Sequence, residues 1–237
     1  MNQGAPPFAA LDDILSQTRH LLLDFDGPVC SLFAGTPTAP IADRLRKVLT
    51  QQGAELPQAI QETADWFEIL SFAVSISPAL AAQVESELTE AELSAVSTAA
   101  PTAYVHEVVS SCRESGRSIA VVSNNSARAV DSYLTRHGLD QQFGLVVART
   151  GPDPSILKPS PHLIEQAASA LDAVPSACSL IGDSPADIES ARLAGAHSIG
   201  YARTPDKRER LDAVGAGAIV ATMADLALRL RARPLPS

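Results

Sequence analysis

His20-Leu21-Leu22-Leu23-Asp24-Phe25-Asp26-Gly27-Pro28-Val29 sets three leucines ahead of two acids spaced two apart, then a Gly-Pro turn. An apolar run this short, bounded by turn residues, reads as a buried strand of about residues 20–26. Side chains alternate across a strand, so Asp24 and Asp26 leave on the same side if strand geometry holds that far. Two carboxylates crowded at the mouth of a buried strand are costly unless something positive sits beside them. A bound divalent cation, a nearby lysine, or both would meet that need.

Outward from this strand the chain changes character twice. Phe8 to Gln17 reads as a short helix leading into it. From about 31 to 100 the pattern is all helical. Ile41, Leu45, Val48 and Leu49 recur at helical spacing, and Pro57 to Val74 holds a second pattern. Ser77-Pro78 reads as an N-cap with proline at the first helical position, and Thr89-Glu90-Ala91-Glu92 as a capping box. From Pro101 onward helices alternate with strands. The strands are expected near 118–123, 143–148, 178–181, 198–201 and 218–220. The helices are expected at 101–115, 127–137, 161–171 (capped by Ser160), 185–194, 205–213 and 223–231. Repeated units of this kind make an α/β fold, a Rossmann-like parallel sheet with helices on both faces. The first strand with its loop (1–31) and residues 101–237 form the core, and 32–100 a small all-helical domain inserted between them. The loop at 150–157 reads as a surface turn, and the tail from Arg233 to Ser237 as frayed.

In such sheets the ligand site lies outside the carboxyl ends of the strands. The strand after residue 118 runs out into Ser123-Asn124-Asn125-Ser126. The loop after the strand at 143–148 reaches Lys158-Pro159, and the strand at 178–181 ends in Gly182-Asp183-Ser184-Pro185-Ala186-Asp187. Asp24, Asp26, Ser123, Lys158, Asp183 and Asp187 therefore map to one edge of one sheet. Each has a plain structural reading. Asp183-Ser184-Pro185 could simply cap a helix, with Asp187 a first-turn carboxylate favoured by the dipole. Their joint placement in this order carries the functional reading.

At these residues the chain resembles the haloacid dehalogenase-like hydrolase superfamily. That family's four motifs are matched in order by Asp24-Phe25-Asp26-Gly27-Pro28-Val29, Val121-Val122-Ser123-Asn124, Lys158-Pro159 and Gly182-Asp183-Ser184-Pro185-Ala186-Asp187. The resemblance covers about 20–31 and 101–231, and it implies that the helical block is the family's early-inserted cap. It further implies a magnesium-dependent phosphatase. Asp24 is then the nucleophile and forms an aspartyl-phosphate, and Asp26 is the general acid and later the general base. Mg2+ is held by the carboxylates of Asp24 and Asp183 and the backbone carbonyl of Asp26. Lys158 balances Asp24 and the phosphoryl oxygens, and Ser123 and Asn124 bind phosphate. Asp187 orients Lys158 or a metal-bound water.

The second acid, Asp26, argues against dehalogenase chemistry, and Lys47 on a charged helix face argues against a Schiff base. A phosphosugar mutase keeps all four motifs and is the alternative enzyme. A non-catalytic binding module on the same fold would be expected if a motif were degraded, and none is. A small phosphate ester is the expected substrate, because a helical cap excludes bulky ones. The loop Ser31 to Pro40 is expected to close over the leaving group. Trp66 and Phe67 read as cap core with one able to reach substrate, and Arg149 as a residue that could pair with an acid near the site, a surface role being the simpler reading.

The bulk numbers agree with this reading. A net charge of −9 over 237 residues leaves no basic stripe for nucleic acid. No apolar run is long enough to span a membrane, and Met1 to Asp13 lacks the basic segment and apolar core of a secretory signal. Cys30, Cys112 and Cys178 are too scattered for a metal or disulfide pattern and suit free thiols in a reducing cytoplasm. Cys30 lies near the acids but is not expected to be a nucleophile. Oligomeric state is not legible in the sequence.

Overall fold

The computed structural model describes residues 8–35 and 38–235. Six strands make one parallel sheet: β1 (His20–Leu23), β4 (Ser118–Ser126), β5 (Leu145–Arg149), β6 (Cys178–Gly182), β7 (His197–Tyr201) and β8 (Ala218–Val220). Their spatial order is β5-β4-β1-β6-β7-β8. The stretch around Asp24 is therefore at the centre of the sheet. Its register is Leu23 opposite Val121 on one side and Ile181 on the other. The strand order reverses beside β1, which is where a doubly wound sheet opens a crevice at its carboxyl edge.

Both faces of the sheet are buried, as the near-continuous apolar strands require. Leu21, Leu23, Val121 and Ile181 join one core with α1 (Ala9–Gln17), α6 (Val105–Glu114), α7 (Ala127–Arg136) and α11 (Met223–Ala232). Leu22, Ala120, Val122 and Leu180 point the other way, to α8 (His162–Ala170) and α9 (Pro185–Ala194). The three leucines of β1 are fully buried, each contributing roughly 1.5–3 kcal/mol. Short α10 (Pro205–Ala213) closes the far edge through Leu211.

Between β1 and α6 lie α2 (Ala39–Gln51), α3 (Gln58–Glu62), α4 (Trp66–Ile76) and α5 (Pro78–Val96). They pack around a core of their own that includes Leu45, Leu49, Ile69, Leu70 and Val84. Two short strands, β2 (Cys30–Ser31) and β3 (Ala100–Pro101), pair antiparallel where this block leaves and rejoins the sheet. The C-terminal end of α5 reaches further, since Ala95 and Val96 belong to the core of the main sheet.

Several expectations need correcting. The pattern at 57–74 is divided between two helices: the chain is extended at Thr63, and Asp65 caps a new start by accepting from the Phe67 N–H at 2.8 Å. Thr89 and Glu92 form no capping box. They lie inside α5, which runs on from a true cap at Ser77, and both are buried. The helix expected from 101 begins at Val105, after β3. Ser160 is not the cap residue of α8, which starts after Pro161 with no side-chain cap. The C-terminal segment is tied down at least to Leu235, whose N–H donates to the Ser115 carbonyl at 2.9 Å. Pro236 and Ser237 lie outside the described residues, as do residues 1–7 of the N-terminal segment and Thr36 and Pro37 of the loop expected over the leaving group. Among the described residues, no helix is long and apolar enough to cross a membrane.

Candidate active site

The site is built where β1, β4 and β6 end. β1 stops at Leu23, and the Asp24 N–H still pairs with the Ile181 carbonyl at 2.9 Å, so Asp24 leaves the sheet from a fixed backbone. The chain then turns sharply. Gly27 has φ +115°, and a Cβ there would overlap the Asp183 carboxylate. Glycine is thus required twice, by conformation and by space. The turn returns Leu32 to the acids, and its N–H donates to Asp26 Oδ1 at 2.8 Å.

Lys158 arrives from the loop after β5. Its ammonium is 2.8 Å from Asp24 Oδ1 and 2.6 Å from Asp187 Oδ1, and donates to the Val122 carbonyl at 3.1 Å. The three donors of a lysine are then all placed. Its side chain is only 3% exposed, so the pairs matter far more than surface ones do. Asn124 holds the lysine loop from both directions: its Nδ2 donates to the Lys158 carbonyl at 2.9 Å, and its Oδ1 accepts from the Lys158 N–H at 2.8 Å.

Asp183 and Asp187 come from the β6–α9 turn. Ser184 caps α9 and Asp187 completes a capping box. Asp187 Oδ2 accepts from Ser184 Oγ at 2.6 Å and from the backbone N–H groups of Ser184 and Asp183 at 3.0 and 3.1 Å. The capping reading of this turn therefore holds, and the same side chain also meets Lys158. One carboxylate of Asp187 caps the helix with one oxygen and fixes Lys158 with the other. Gly182 is forced by the same packing, because a Cβ there would run into the Asp187 side chain.

Burial sets the electrostatics. It raises Asp24 to about 7, opposed by Lys158 and assisted by Asp187 and Asp183. It raises Asp26 to about 6, against the Leu32 N–H bond that pulls the other way. Asp183 also lies above its ordinary value, mainly through burial. For Lys158 burial disfavours the charge, but Asp187 and Asp24 more than offset it and hold the ammonium above the usual lysine value. Cys30 is fully buried and its thiol is pushed far up by burial and the two acids, which leaves it unsuited to be a nucleophile.

Asp24, Asp183 and Asp187 each offer a carboxylate oxygen within 4.8 Å of the others. An all-oxygen set of this kind fits a hard divalent cation such as Mg2+. Asp187 is the least available of the three, being saturated by Lys158 and the capping turn.

The expected residues fall together with one qualification. Asp24, Asp26, Asn124, Lys158, Asp183 and Asp187 line one cavity of about 210 Å3. Ser123 does not line it. Its hydroxyl is buried and engages Asn125 at 3.1 Å, accepting from the backbone N–H and facing the side-chain oxygen. Trp66 and Phe67 both line the cavity and also pack into the helical core, as does Phe33.

Arg149 takes the acid-pairing reading, not the surface one. It is 1% exposed. It pairs with Glu92 at 2.8 Å and with Glu85, and its Nε donates to the Asn124 carbonyl at 3.0 Å. Glu92 in turn accepts from the Ser126 N–H at 2.9 Å and from Asn125 Nδ2 at 3.2 Å. This arginine therefore ties α5 to the loop that holds Lys158. Lys207, not singled out in the sequence, places its ammonium against Asp183 Oδ2. Its only sequence signal, Thr204-Pro205-Asp206-Lys207, reads as an ordinary helix start.

Comparison with known proteins identifies the family and the fold. The family model described as haloacid dehalogenase-like hydrolase matches residues 40–201. The pyrophosphatase PpaX of Bacillus mycoides is 30% identical over 122 residues, 52% of this chain and 56% of that protein. The chain thus spans about half the length of the curated relatives it matches. A predicted phosphatase from Clostridium acetobutylicum has a similar fold, with TM-score 0.68 at 16% identity, covering 90% of this chain and 98% of that one. CbbY from Rhodobacter sphaeroides, solved with phosphate, gives TM-score 0.63 at 18% identity, covering 88% and 96%.

Proposed function

This chain belongs to the haloacid dehalogenase-like hydrolase family, and on that premise we propose that it is a Mg2+-dependent phosphatase acting on a small phosphate ester through an aspartyl-phosphate on Asp24. The observation that carries the reading is the Lys158 ammonium shared between Asp24 and Asp187 at the floor of the cavity. A buried lysine there keeps one oxygen of Asp24 neutralised and fixed, and leaves the other free to face an incoming phosphoryl group.

Asp24 attacks phosphorus as the ester P–O bond breaks. Asp26, raised to about 6 by burial, carries a proton over an accessible range and gives it to the leaving alkoxide. The same carboxylate then takes a proton from the water that attacks the aspartyl-phosphate, releasing inorganic phosphate and restoring Asp24. Lys158 balances charge on the transferred group. Asn124 keeps Lys158 in register, and Asp187 orients it. Mg2+, held by Asp24, Asp183 and the Asp26 carbonyl, would supply the positive charge that lets an anionic nucleophile approach an anionic ester.

Residues 32–100 serve as a cap over this site, a role supported by their own core and by Phe33, Trp66 and Phe67 at the cavity wall. The three free, buried cysteines support a reducing compartment such as the cytoplasm.

Phosphate release from p-nitrophenyl phosphate and a panel of small esters, with Mg2+ and with chelator, tests the proposal. Mg2+-dependent release that disappears in Asp24→Asn is the expected result. A folded protein that releases none from any ester would refute it, and interconversion of sugar phosphates by that protein would favour the mutase.

A further inference from the structure

A second cavity of about 700 Å3 adjoins the inner one and shares Phe67, Asn124, Lys158, Ser184 and Ala186 with it. One wall of this outer cavity is the helical block, and the other is the loop around Pro154, Leu157 and Pro159 with the turn at Ser184 and Ala186. The helical wall is apolar at Ala59, Ile60 and Phe67 and acidic at Asp65 and Glu68. This is where the alcohol half of a substrate must lie if its phosphoryl group sits against Lys158.

Among the described residues, Lys158 is the only basic one lining either cavity. Its three donors are already engaged by Asp24, Asp187 and the Val122 carbonyl. The next cations are placed elsewhere. Lys207 is held by Asp183, and it lines with Arg210 a separate cavity. Arg203 lies over the Tyr201 ring and 3.4 Å from Ser31 Oγ, and lines neither cavity. A second anionic group in the outer cavity would therefore face the exposed carboxylates of Asp65 and Glu68 and the Phe67 ring with no side-chain cation to pair it.

We infer that the substrate is a phosphate monoester whose alcohol half bears no second anion, being uncharged or amine-bearing and offering an apolar face to Phe67. The inference rests on the phosphatase reading above and narrows it. It sets this chain apart from the activity that the name of its PpaX relatives describes, since the leaving half of pyrophosphate is itself an anion.

A near-isosteric series tests it: 2-hydroxyethyl, 2-aminoethyl and carboxymethyl phosphate, with pyrophosphate alongside, each assayed for kcat/KM with Mg2+. The neutral and amine-bearing esters are expected to exceed the two anionic substrates by about tenfold or more. Glu68→Lys, on an exposed helix position, is expected to shrink that ratio by raising turnover of carboxymethyl phosphate. Equal or faster turnover of carboxymethyl phosphate or pyrophosphate by the wild type overturns the inference and leaves the phosphatase reading intact. Absence of turnover on all four overturns the inference, and absence of turnover on p-nitrophenyl phosphate as well overturns the phosphatase reading.

Discussion

At the residue scale, the site is an arrangement of charges that must be balanced locally. Lys158 is the pivot. Lys158→Met would leave Asp24 and Asp187 facing one another without a counterion. Phosphate release should fall by about 10²-fold or more, and steady-state kinetics on a protein checked for folding would read it. The acids also predict a pH dependence. Asp24 and Asp26 have folded values of about 7 and 6 against an ordinary 3.8. The folded state thus holds these protons more tightly than the unfolded one. Their contribution to stability is fully present below about pH 4 and is lost as pH rises through 6 and 7. Without divalent cation, the unfolding free energy of the wild type should decline over that window. Asp24→Asn should flatten the decline, and a chemical denaturation series across pH would show it. Adding Mg2+ should raise Tm more above pH 7 than at pH 5, because the ion competes with protons for the same carboxylates. Gly27→Ala should cost about 1–3 kcal/mol and lower turnover, since it strains φ and strikes Asp183.

At the element scale, legibility followed how local the physics is. The β6–α9 turn could be read to the residue because Ser184, Pro185, Asp187 and Gly195 satisfy their own helix ends. β1 could be read because its leucines must be buried on both faces. What stayed hidden was contact between distant segments. Glu92 and Arg149 are 57 positions apart, and Lys207 and Asp183 are 24 apart. Glu92 also lay three residues after Thr89, a spacing that imitates a capping box. Only its burial shows that it faces Arg149. Ser123 is expected where its strand ends, but β4 runs on to Ser126; one strand position decides whether a hydroxyl faces the cavity or the loop, and sequence does not resolve that. The Arg149 cluster yields its own prediction. Arg149→Met leaves the fully buried Glu92 unpaired and should destabilise by about 3–5 kcal/mol in urea unfolding. Glu85→Gln, on the partly exposed partner, should cost distinctly less.

At the scale of the whole molecule, one central strand places Asp24 while its neighbours deliver the rest. β4 brings Asn124, the loop after β5 brings Lys158, and β6 brings Asp183 and Asp187. The helical block is fastened to this edge by Arg149 and supplies a wall that is aromatic and acidic. In the proposed reaction that division separates two tasks: the sheet edge would handle the phosphoryl group, and the block what the phosphoryl group leaves. The central claim is that Asp24 itself takes the phosphoryl group. The most direct test is rapid acid quench of the protein during turnover of a small phosphate ester with Mg2+, followed by peptide mass analysis. The account predicts the added mass of one phosphoryl group on the peptide containing Asp24, absent from Asp24→Asn. Full turnover with no label on that peptide, persisting in Asp24→Asn, would contradict it.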